Sequence, residues 1–205
     1  MENLLTFISA SILIELTPGP NMAFLALISA TKGRRHGFAT TAGIAIGLLL
    51  IGLLSAAGVG ALITQNPILF QILRWGGIAY LLYLAWEGWR EAGESSPQKA
   101  ESASSDLTYF RHGLTVNLLN PKAALFYITV LPTFLSSREA DWSEIFGLTV
   151  LYVGIATVVH LLIVTFAGTF HRFLDDPKRS LWVRRVLALA LALTAIWFGW
   201  STRAA

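Results

Sequence analysis

Six apolar runs, near residues 4–30, 38–63, 68–89, 113–135, 145–169 and 181–200, dominate the sequence. Each is long enough for a helix to cross a bilayer core, which takes about 20 apolar residues. The unbroken stretch from Leu48 to Ile63 excludes barrel strands, which need about ten residues of alternating character, and only helices and closed barrels satisfy their backbone in lipid. Six transmembrane helices in an all-α membrane protein are therefore predicted. Charged residues make up 13% of the 205 positions, about half the usual share for a soluble domain, in line with that reading. Little chain remains for another domain, and neither a P-loop nor a GxGxxG pattern is present, so ATP-driven chemistry within the chain is disfavoured. With no cysteine, disulfides, thiol relays and thiolate metal sites are excluded. The four histidines show no ligand spacing, so neither metal nor cofactor is expected. Glu2 stands where a signal peptide would carry basic charge, and the first span is expected to remain in the mature protein.

The net charge of +3 does not indicate a nucleic-acid partner, because the basic residues lie between apolar runs and form no continuous face. Eleven of the fifteen (Lys32, Arg34, Arg35, Arg90, Lys99, Arg111, Arg172, Lys178, Arg179, Arg184 and Arg185) fall after spans one, three and five. Only Arg138 and Arg203 fall on the opposite side, while Arg74 and Lys122 lie inside spans. The positive-inside rule then places both termini outside and the connection between spans three and four in the cytoplasm. That connection, residues 91–110, is rich in Ser, Ala and Glu and reads as a polar linker between two three-span halves, 1–90 and 111–205. Pro20 aligns with Pro121, and Trp86-Glu87-Gly88-Trp89 aligns with Trp197-Phe198-Gly199-Trp200, a register that also matches Arg74 with Arg185. Halves with an odd number of spans repeat only if inverted, an architecture common among secondary transporters.

The residues suited to chemistry lie at two interruptions. Thr17-Pro18-Gly19-Pro20-Asn21 cannot continue a helix, because each proline removes a backbone donor and frees a carbonyl. Such groups persist in a membrane only against protein or a cavity. The segment is either a packed kink or a broken helix whose second half starts at Asn21 and aims free N–H groups at an anion. Asn117-Leu118-Leu119-Asn120-Pro121-Lys122 is its counterpart, with Asn120 suited to capping and Lys122 inside an apolar run. Lys122 needs a partner, whether an acid, a helix C-terminus or a substrate carboxylate. Glu15, about 16 Å along span one, is the deepest acid and reads either as a proton- or ammonium-binding group or as the static partner of Lys122. His160 is also deep, and imidazole titrates near neutrality, so it joins Glu15 as a candidate for proton coupling. Gly43 and Gly47 form a GxxxG pattern for close helix approach. Arg74, Glu87 and the paired tryptophans read as interfacial anchors.

Thr17-Pro18-Gly19-Pro20-Asn21, Gly77-Ile78-Ala79-Tyr80-Leu81, and Asn117-Leu118-Leu119-Asn120-Pro121-Lys122 followed by Pro132-Thr133-Phe134 together resemble the LysE/RhtB family of amino-acid exporters over essentially the whole chain. The resemblance implies a multi-pass protein of the bacterial cytoplasmic membrane that expels amino acids or close derivatives in exchange for protons, and not an enzyme. Its partners would be an amino acid, protons and the lipid bilayer, with a second copy of the chain kept open. The substrate-binding candidates are Pro18, Gly19, Pro20, Asn21, Asn117, Asn120, Pro121 and Lys122, with side-chain specificity expected from Phe24, Phe126, Tyr127 and span five. The alternatives are a membrane scaffold subunit and an exporter of another small solute such as a metal ion. A membrane hydrolase is disfavoured, because no GxSxG, HExxH or aspartate pair occurs.

Overall fold

The computed structural model describes residues 2–57, 66–93, 105–136, 142–170 and 177–201. The helices are α1 (Glu2–Leu16), α2 (Pro20–Lys32), α3 (Arg34–Ala56), α4 (Pro67–Gly93), α5 (Asp106–Leu118), α6 (Pro121–Leu125), α7 (Trp142–Ala167) and α8 (Pro177–Ser201). A π-helical turn, Phe126–Val130, and a 3-10 turn, Leu131–Phe134, extend α6. Among the described residues four helices are long and apolar enough to cross a membrane, and the number rises to six if each of two bent pairs is one span. The bends are 59° between α1 and α2 and 53° between α5 and the segment that starts with α6.

Local chemistry sets these boundaries. Helices α2, α4, α6 and α8 begin at Pro20, Pro67, Pro121 and Pro177, positions where a missing N–H costs nothing. Asn66 and Asn120 cap two of them: Asn66 Oδ1 accepts from Ile68 N and Leu69 N, and Asn120 Oδ1 from Lys122 N at 3.1 Å. Gly33, with φ 89°, lets α2 pass into α3 through one residue, a conformation costly for any residue bearing a Cβ. Leu13, Trp75, Trp182 and Leu193 are exposed, as expected of helix faces that meet lipid.

Helix α3 packs closely on α5. A Cβ added at Gly43 would collide with the Phe110 carbonyl and one added at Gly113 with the Thr40 carbonyl, so the GxxxG pattern serves this contact. Helix α7 packs on α1, α2 and α3, and α8 on α4 and α2. One end of the bundle is tied by the starts of α3 and α5 and the end of α7. Arg34 donates to Thr165 O at 2.9 and 3.2 Å, and Arg35 pairs with Asp106 at 2.8 Å.

Several boundaries differ from the sequence reading. Residues 91–93 continue α4 and 106–110 begin α5, so both ends of the expected linker are helical. The cause at the second end is apolar burial, since Tyr109 packs inside the bundle. Residues 94–104 lie outside the described residues, as do 58–65, which include the expected end of span two. The second half of span one starts at Pro20 rather than Asn21. Arg74 is not an interfacial anchor: it is 4% exposed, donates to Gly199 O, and so neutralises a carbonyl near the C-terminal end of α8.

Candidate functional site

The two interrupted spans meet. Asn21, in the first turn of α2, donates from Nδ2 to Oδ1 of Asn117, in the last turn of α5, at 2.9 Å. Both side chains are buried, and Asn21 Oδ1 and Asn117 Nδ2 have no hydrogen-bond partner. Such groups cost about 1–3 kcal/mol each when left unmade, so this pair is held in readiness for a further partner or is a standing cost to the fold. Gly47 makes room for it, because an added Cβ there would lie 2.8 Å from Asn117 Nδ2.

Lys122 answers the charge question left open by the sequence. Its Nζ donates to Ile14 O at 2.7 Å and Thr17 O at 2.8 Å, carbonyls at the C-terminal end of α1. The last carbonyls of a helix have no partner within it and carry the negative end of its dipole, so an ammonium there is stabilised without a carboxylate. The partner is thus the helix C-terminus, and the side chain crosses Gly19, whose added Cβ would stand 3.7 Å from Nζ.

Glu15 points elsewhere. It is 7% exposed, its Oε1 accepts a hydrogen bond from the Tyr152 hydroxyl, and its Oε2 stands 3.3 Å from His160 Nε2. That is ion-pair distance, although the imidazole N–H is not aligned for a hydrogen bond. No ion pair joins Glu15 to Lys122 among the described residues, so their direct pairing, one of the two sequence readings, does not form. The reason is geometric: Glu15 leaves α1 toward α7, whereas Lys122 reaches its end from α6. Tyr152 was missed by sequence reasoning. The available signal was its spacing of eight residues from His160 on α7, two helical turns on one face. Its ring stacks on Phe126 with centroids 3.6 Å apart, which fixes the hydroxyl.

Glu15, Gly19, Asn21, Asn120, Lys122 and Tyr152 line a cage of about 10 Å³. A single water needs about 10–15 Å³, so the cage is closed to any larger solute in this conformation. Beyond Gly19 and Lys122 opens an apolar cleft of about 310 Å³, lined by Pro18, Leu125, Phe126 and Trp197 among others. Of the residues expected to confer specificity, Phe126, Tyr127 and Tyr152 of span five form one aromatic cluster in mutual contact beside the cage, whereas Phe24 lies apart on another cavity. Pro20 and Pro121 are buried and act through the helix starts they impose.

Two spans interrupted within the bundle, with a buried carboxylate and an ammonium at the breaks, define a polytopic membrane protein organised around an internal polar site. The chain belongs to the LysE type translocator family, whose model matches residues 12–202. It is 30% identical over 182 residues to a leucine efflux protein of Klebsiella pneumoniae, covering 86% of this chain and 84% of that one. It is 29% identical over 178 residues to a homoserine/homoserine lactone efflux protein of Salmonella typhi, covering 84% of both. An uncharacterized membrane protein of Vibrio cholerae is 25% identical over 174 residues, covering 85% of both. No solved structure matches the chain.

Proposed function

We propose that this protein exports amino acids or close derivatives from the bacterial cytoplasm by proton antiport, holding the substrate between Pro18–Asn21 and Asn117–Lys122. The observation that carries the reading is the convergence of the two helix breaks on one cage bearing an ammonium, a carboxylate and the half-satisfied amide of Asn21, itself bonded to Asn117. The named relatives, efflux proteins for leucine and for homoserine and its lactone, support the substrate class.

The two half-helix starts differ in a useful way. Asn120 caps α6, whereas α2 has Gly19 at its N-cap and no side-chain cap. The open start of α2 suits a substrate carboxylate, with Asn117 Nδ2 as a further donor. The ammonium suits Asn21 Oδ1 and Glu15. Glu15, with His160, is then the group that binds protons on the return step, so substrate and proton compete for one carboxylate. Because the cage admits at most one water, the conformation corresponds to a closed state, and binding requires the half-helices to part.

The same reading takes residues 1–90 and 111–205 as inverted repeats, with both termini outside. Support comes from the similar bends and from reciprocal packing: span two lies against the first part of span four, and span five against span one. Burial of Glu15 inside its own chain leaves the scaffold alternative without an observation in its favour.

Radiolabelled counterflow in proteoliposomes, screened across the proteinogenic amino acids and homoserine, tests the function; saturable exchange of at least one is expected. Glu15→Gln should abolish pH-driven net efflux while retaining exchange. An unchanged pH dependence in that variant would remove Glu15 from the coupling step.

A further inference from the structure

A second polar cavity lies at the opposite end of α2 from the closed cage. Residues of α2 line two cavities in chain order, with Asn21 and Met22 on the cage and Phe24, Leu27, Ile28, Thr31 and Lys32 on this one. Its volume is about 60 Å³, room for roughly four to six water-sized groups. The polar wall comes from four helices: Lys32 of α2, Glu87 of α4, Thr108 and His112 of α5, and Arg184 of α8. Its floor is apolar and aromatic, and Phe24 on that floor is one helical turn from Asn21.

We propose that this cavity is a first docking site for the zwitterionic head group of the exported amino acid, on the side of the membrane that carries the basic connections. The inference rests on the exporter reading above and adds a site to it. Glu87 takes the ammonium, Lys32 and Arg184 take the carboxylate, and the side chain lies along Phe24 and Leu84. Charges of both signs converging on a space the size of an ammonium, an α-carbon and a carboxylate fit a zwitterion better than a simple anion or cation. Phe24, which separates the two sites along α2, lies one helical turn from Asn21. Because the cavity lies at one end of the bundle and is already formed with the cage closed, it is reached from that side alone.

The test compares Michaelis constants measured separately from the two faces, in oriented inside-out and right-side-out vesicles, using the substrate found by the counterflow screen. Glu87→Gln is expected to raise KM on the basic-connection face by about tenfold, the lower range for losing a hydrogen bond to a charged group, with KM on the opposite face unchanged. Glu87→Asp should recover part of the loss. Counterflow at saturating substrate checks that the variant is folded. Equal KM values for variant and parent on both faces, or equal rises on both, would overturn the proposal. A loss that is reversed by raising phosphatidylethanolamine content, without any sidedness, would assign the cavity to a lipid head group instead. If the parent exchanges no amino acid at all, the exporter reading fails and this inference with it.

Discussion

Asn21 and Asn117, 96 residues apart in sequence, share one hydrogen bond of 2.9 Å that joins the start of one half-helix to the end of another and leaves one polar atom on each without a partner. If those two atoms receive substrate, Asn117→Ala should weaken affinity about 5- to 30-fold, the equivalent of one or two hydrogen bonds. Combining it with Asn21→Ala should give less than the sum of the two losses, because residues in direct contact are coupled. Competitive counterflow measures both. A parental affinity for Asn117→Ala would make the pair a structural clasp only.

Lys122→Met keeps much of the side chain's shape while removing the two bonds to Ile14 O and Thr17 O. A folded variant is expected to lose at least tenfold in substrate affinity, since a half-buried charge is removed from beside the site. Transport at the parental rate and KM would take Lys122 out of the site and leave it as a cap of α1.

Glycine at 43 and glycine at 154 should respond oppositely to alanine. A Cβ at Gly43 would meet the Phe110 backbone, whereas nothing lies within 4 Å of one at Gly154. Gly43→Ala is expected to destabilise by about 1–3 kcal/mol through overpacking. Gly154→Ala should be neutral or stabilising by up to about 1 kcal/mol through helix propensity. Thermal unfolding in detergent compares them, and equal effects would mean that α3 and α5 do not rely on this close approach.

The proposed orientation, with both termini outside, rests on the eleven-to-two asymmetry of basic residues in the connections. Because the chain has no cysteine, Ser96→Cys and Ala204→Cys each introduce a single reactive thiol. An impermeant maleimide should label the second in intact cells and spare the first. The reverse pattern would invert the assignment.

Much of this architecture is legible without coordinates, because hydropathy and proline chemistry act locally. The apolar helices, the interruptions at Pro18–Pro20 and Asn120–Pro121, the cap at Asn120 and the close-packing role of Gly43 all follow from residue types and spacing, since a helix cannot run through those prolines wherever it packs. Partnerships across the bundle do not follow, because they depend on how far each helix is rotated and slid against the next, and that is set by the packing of all of them. Thus the sequence shows Glu15 and Lys122 as the obvious opposite charges, yet Lys122 turns to the carbonyls of α1 and Glu15 to Tyr152 and His160. Arg74 reads as an anchor near a helix end and is instead buried against Gly199. The two cavities along α2 belong to the tertiary structure alone, for their walls come from helices whose sequences carry no record of facing one another.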